Sequence, residues 1–109
     1  MSSLSGLKIK TNVVKRLFKE EQYYLKEVEL LKNRLEEYTK KQDHDEYEAR
    51  QMQRAIDETE QLLPDCRKRL LTASNELSAL VNGFFGGPGD KNPDEILEAT
   101  SLLQSIIIN

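Results

Sequence analysis

A seam of side chains spaced alternately four and three residues apart runs without a slip along one stretch. It passes from Met52 through Ile56, Thr59, Leu63, Cys66, Leu70, Ala73 and Leu77 to Leu80. These are heptad a and d positions, and on a helix they fall on one side. Pro64 lies inside the stretch. It has no N–H, so it deletes the bond to the Glu60 carbonyl, at a cost of roughly 3 kcal/mol in a helix interior. The seam nevertheless keeps its phase across it. The spacing therefore predicts a helix that bends at Pro64 and does not end there. Pro64 sits beside Leu63 toward solvent, where water can reach the freed carbonyl, and long helices curve with their convex side to solvent.

A second seam precedes it: Leu7, Lys10, Val14, Leu17, Glu21, Tyr24, Val28, Leu31, Leu35 and Tyr38. Val13, Phe18 and Leu25 widen the stripe, enough to meet more than one neighbouring helix. The first helix is predicted over about 7–41. Thr11 has the chemistry of an N-cap, but Leu7 in phase argues for an earlier start. The connection from Lys40 to Glu46 closes one helix with lysines and opens the next with acids, as helix dipoles prefer. Asp45 and Glu48 have capping-box spacing in its acidic variant. So short a connection predicts an antiparallel hairpin.

The second helix is predicted over about 46–81, with Gly83 as the residue that ends it. A flexible loop follows over 82–92, containing Phe84, Phe85 and a glycine run. Phe84 and Phe85 either fold back on the bundle end or stand exposed. Asn92, Pro93 and Glu95 then have the order of N-cap, first position and N3, opening a third helix over about 93–107. Its heptad positions are Ile96, Ala99, Leu103 and Ile106.

The fold class expected is all-α: an elongated antiparallel three-helix bundle with coiled-coil heptad packing, two long helices and a shorter third, in a single domain over 1–109. Helix 3 reaches only one end, which leaves a two-helix hairpin around Tyr24–Tyr38 and Tyr47–Ile56. Glu21 lies where helix 3 runs out, which accounts for a carboxylate in the seam. Composition agrees: 38% of the 109 residues are apolar and 32% charged, a thinner core than the average of about 45–50% and 25% supports.

Little in the chain points to chemistry. Cys66 is on the seam and reads as a buried structural thiol. It has no partner for an internal disulfide, which fits a reducing compartment. His44, the one histidine, lies in the hairpin connection without cysteine or histidine neighbours to complete a metal site. Asp43, Asp45, Glu46 and Glu48 lack the spacing of a calcium loop. The glycine run lacks the Gly-Lys-Ser/Thr of a phosphate loop. No apolar run approaches the ~20 residues of a membrane span, and the first residues have no apolar leader core. The expectation is a cytoplasmic non-enzyme with no cofactor, no metal and no membrane partner.

The charge layout is more informative. Lys8, Lys10, Lys15, Arg16 and Lys19 occur with no acid among the first nineteen residues, and Arg67, Lys68 and Arg69 form a second run. A hairpin turning near residue 43 brings 15–19 beside 66–70. The cluster Lys15, Arg16, Lys19, Arg67, Lys68 and Arg69 then reads either as a solvated face or as a docking surface for an acidic partner.

The segments Leu7–Thr11, Val14–Leu17, Lys19-Glu20, Tyr24 and Lys26-Glu27, with Leu63-Pro64-Asp65-Cys66-Arg67-Lys68-Arg69-Leu70, resemble the tubulin-binding cofactor A family, also called tubulin-specific chaperone A. The Leu63–Leu70 block looks like the family's Pro-Asp-Cys element in the middle helix, an unusual feature inside an in-phase heptad seam, and Tyr47 stands where the family has a tyrosine opening that helix. The resemblance covers about 7–81; after Val81 the phenylalanines and glycines depart from the family's charged connection. It implies a three-helix bundle that binds β-tubulin released from the cytosolic chaperonin and holds it for later cofactors, chiefly cofactor D, without nucleotide or metal. Tubulin is acidic, which suits the basic cluster. Two rival readings stand beside it. One is a structural coiled coil that forms a homodimer through the end that helix 3 leaves uncovered. The other is a nucleic-acid binder with a basic helix, against which stand a pI near 5.2, a net charge of −3 and no aromatic interleaving.

Overall fold

The computed structural model describes residues 6–86 and 93–108, with side chains over 6–83 and 93–106. Its regular structure is three α-helices: α1 (Gly6–Thr39), α2 (Glu46–Gly86) and α3 (Pro93–Ile108). No strand occurs among the described residues.

The helix α2 continues through Pro64, which is exposed. Its start is fixed by Asp45, whose Oδ1 accepts from Tyr47 N at 2.8 Å while its carbonyl accepts from Ala49 N at 2.9 Å. The reciprocal arm expected from Glu48 is replaced: Asp45 N donates to the Tyr38 hydroxyl at 2.9 Å. The helix also outruns its expected end. Residues 82–86, read as the start of a flexible loop, are helical. Gly83 does not adopt the left-handed conformation of a helix-ending glycine, since no glycine described has positive φ. Glycine costs about 1 kcal/mol in a helix interior, too little to stop a helix whose preceding turn is anchored by buried Val81. The Phe84 and Phe85 side chains, the rest of the loop and the Asn92 cap lie outside the described residues.

The chain packs as two compact units, Met1–Lys19 with Lys68–Asn109, and Glu20–Arg67. In the first, three helix segments enclose one core. Leu7, Val14 and Leu17 of α1 meet Leu70, Ala73, Leu77 and Val81 of α2, and Ala99 and Ile106 of α3. Two seam positions are displaced here. Thr11 is buried in place of Lys10, and its hydroxyl donates to the Leu7 carbonyl at 2.8 Å; it lies inside α1 and is not a cap. Val81 is buried at 6% exposure, whereas Leu80 is 36% exposed. A straight helix drifts by about 20° per heptad, so by Val81 the long α2 seam has walked off its own face by a residue.

The second unit is a hairpin of two helix segments. Val28, Ala49, Ile56 and Cys66 are buried; Leu31, Leu35, Tyr38, Met52, Thr59 and Leu63 are half-buried. Its cross-helix pairs, Glu21 with Arg67 and Lys32 with Glu60, run in opposite directions along the two segments, as an antiparallel hairpin requires.

Candidate partner-binding surface

The basic residues divide by what holds them. In the three-helix unit, Lys8 donates to Glu98 Oε2 at 2.9 Å and Lys15 to Glu98 Oε1 at 3.2 Å. One carboxylate of α3 therefore clasps two lysines two turns apart on α1. Hydrogen bonds from Lys8 and then Lys15 hold the Glu98 carboxyl below its ordinary value, against a smaller opposing effect of burial. Lys10 pairs with Glu76 of α2. In the hairpin unit, Arg67 Nη1 donates to both oxygens of Glu21, at 3.0 and 3.4 Å. The Glu21 side chain is only 8% exposed, so Arg67 supplies the charge that lets a carboxylate stay inside.

Lys15 and Arg67 are thus engaged within the protein. Arg16, Lys19, Lys68 and Arg69 are exposed, and among the described residues Arg16, Lys19 and Lys68 have no ion-pair partner. Lys15, Arg16, Lys19, Lys68 and Arg69 belong to one unit, and Arg67 to the other. Arg16 and Lys19, three apart, are neighbours on the surface of α1. Arg16 also borders an open groove of about 310 Å³ lined by Ile9, Asn12 and Val13. Ile9 is 49% exposed. An exposed aliphatic residue beside guanidinium and ammonium groups suits a partner that brings both acid and apolar surface.

Cys66 is buried, and its Sγ lies 3.6 Å from Glu20 Oε1, to which it donates. Among the described residues no group of three or more His, Cys, Asp and Glu is placed to hold a metal ion. No helix there is long and apolar enough to cross a membrane.

The family model for tubulin binding cofactor A matches residues 2–103. The chain belongs to the tubulin-binding cofactor A family. It is 33% identical to the tubulin-specific chaperone A of Gallus gallus over 103 residues, which is 94% of this chain and 92% of the relative. The solved tubulin folding cofactor A of Arabidopsis thaliana superposes with a TM-score of 0.84 at 29% identity, covering 94% of each chain. RBL2P, a β-tubulin-binding post-chaperonin cofactor, has the same fold, with a TM-score of 0.80 at 22% identity over 96% of this chain and all of that one. The three-helix architecture described above is therefore that of the family.

The Glu21–Arg67 bond was missed by sequence reasoning, which placed Arg67 with the docking cations. The signal was present: the hairpin register sets 21 opposite 65–67, and a carboxylate in a seam needs a cation across from it.

Proposed function

We propose that this chain captures β-tubulin and holds it, without catalysis, for later tubulin cofactors such as cofactor D. Membership of the tubulin-binding cofactor A family supports a tubulin partner, and the β-tubulin binding of RBL2P favours the β subunit. It also implies a cytoplasmic setting among microtubule proteins. The observation that carries the surface is the division of the cations: Lys8, Lys10 and Lys15 are spent on α2 and α3, whereas Arg16, Lys19 and Lys68 remain exposed and without an ion-pair partner among the described residues. Arg69 belongs to the same exposed run. Such charges contribute little to folding; they speed encounter with an acidic partner and select its orientation.

The test is the double reversal Arg16→Glu with Lys68→Glu, with helicity checked by circular dichroism. Association with purified β-tubulin is expected to slow at low salt, and the difference from wild type to shrink at high salt, because screening acts over about 8–10 Å near physiological ionic strength. Unchanged association at low salt, with helicity intact, returns these residues to a solvated face.

A second reading is a homodimer through the two-helix unit, favoured by Tyr23, Leu25, Leu30 and Leu62, which are between 44% and 63% exposed. Sedimentation at two concentrations decides it: a monomer mass at both removes this reading.

A further inference from the structure

The turn between α1 and α2 sets two hydrogen-bond acceptors against one imidazole. His44 Nδ1 lies 2.7 Å from the Lys41 carbonyl, and Nε2 lies 2.7 Å from Glu46 Oε1. Neutral imidazole has one N–H and one lone pair, so it can satisfy one of these acceptors and repels the other. Only the imidazolium donates to both. We propose that His44 is a proton-operated latch across the α1–α2 turn, closed as the imidazolium and released when the ring loses a proton.

Groups from both helices favour the closed state. Lys41 lies just past the end of α1, which favours a cation, and its carbonyl also accepts from His44 N at 3.3 Å. Glu46 stands in the first turn of α2, and Asp43 of the turn adds a further negative charge. The Tyr38 ring meets the imidazole edge-on at 6.0 Å between centroids. Of the cations nearby, Lys41 Nζ lies over the Tyr38 ring, 5.8 Å from its centroid, and Lys40 is drawn to Glu36 and Glu37. Asp45 and Glu48 complete the acids at this end, Asp45 capping Tyr47 N. The bond to the Lys41 carbonyl, and next that to Glu46, raise the His44 pKa above 6.5, against a smaller effect of burial. The folded-state value exceeds the unfolded one. The stabilisation is therefore fully present below the unfolded pKa and is lost as pH rises through the raised folded pKa.

The latch reaches further than the ring. The Tyr38 hydroxyl accepts from Asp45 N, and Asp45 caps α2. Releasing His44 loosens the segment that holds both ends of the turn.

His44 is the chain's one histidine, so its imidazole nitrogens are assigned at once in a ¹⁵N NMR titration of the whole protein. The expected midpoint lies above 6.5, with both nitrogens protonated below it. Glu46→Gln is expected to shift the midpoint down. Amide protection at Tyr47 and Ala49 is expected to fall as pH rises through the wild-type midpoint, and to lose that step in His44→Gln. A midpoint at or below 6.5, a midpoint unmoved by Glu46→Gln, or protection that stays level across the titration overturns the latch.

Discussion

Ser74 is 7% exposed in the three-helix core, and its hydroxyl has no hydrogen-bond partner among the described residues. Thr11, Thr59 and Thr100 show the usual remedy: each donates back to the carbonyl four residues earlier. Ser74 does not. A stranded buried hydroxyl costs about 1–3 kcal/mol, and alanine is the better helix former. Ser74→Ala is therefore expected to stabilise the protein by about 1 kcal/mol, read as a higher thermal midpoint; an unchanged or lower midpoint would mean the hydroxyl has a partner after all. Such a feature was not legible in the sequence, because one serine on a helix flank looks like any other. Glu21 was half legible. Its place in the seam marked it as exceptional, but the explanation offered was the end of helix 3, and the structure adds the half-exposed Arg67 as its counter-charge. The sequence shows which residues are out of pattern; which partner satisfies them depends on the register across the hairpin.

At the scale of the element, the seam of α2 was readable from Ile56 to Leu77, and Pro64 did not end the helix. What failed was its last step. A heptad written on paper has a period of 3.5, and an unsupercoiled helix has 3.6, so the error accumulates and the buried residue is Val81. The two neighbours make a direct comparison. Val81→Ala empties core volume and is expected to cost about 1–3 kcal/mol. Leu80→Ala, at a partly exposed site, is expected to cost less than about 1 kcal/mol. Chemical denaturation of the pair checks this, and the reverse order would restore Leu80 to the seam. The extension of α2 past Gly83 was illegible for a related reason: glycine signals a helix end only where the backbone uses its left-handed freedom, and here it does not.

Over the whole molecule, the two units bury unequal cores. The three-helix unit holds nine buried apolar residues in one cluster. The hairpin unit holds Val28, Ala49, Ile56 and Cys66, with Glu21 among them. Local opening follows buried contact. Backbone amides over 24–62 are therefore expected to exchange faster than those over 70–81 in native-state hydrogen exchange, and equal protection would show that both open together. The sequence foresaw this inequality through the limited reach of a third helix expected over about 93–107. The division has an optical counterpart. The chain has no tryptophan, and its four tyrosines, at 23, 24, 38 and 47, all fall within Glu20–Arg67. Tyrosine emission and near-ultraviolet tyrosine dichroism thus report the hairpin unit alone, while far-ultraviolet dichroism reports the helices of both. Excitation at the red edge of the indole band passes through this protein unabsorbed, so any emission from a mixture with a tryptophan-bearing partner belongs to the partner.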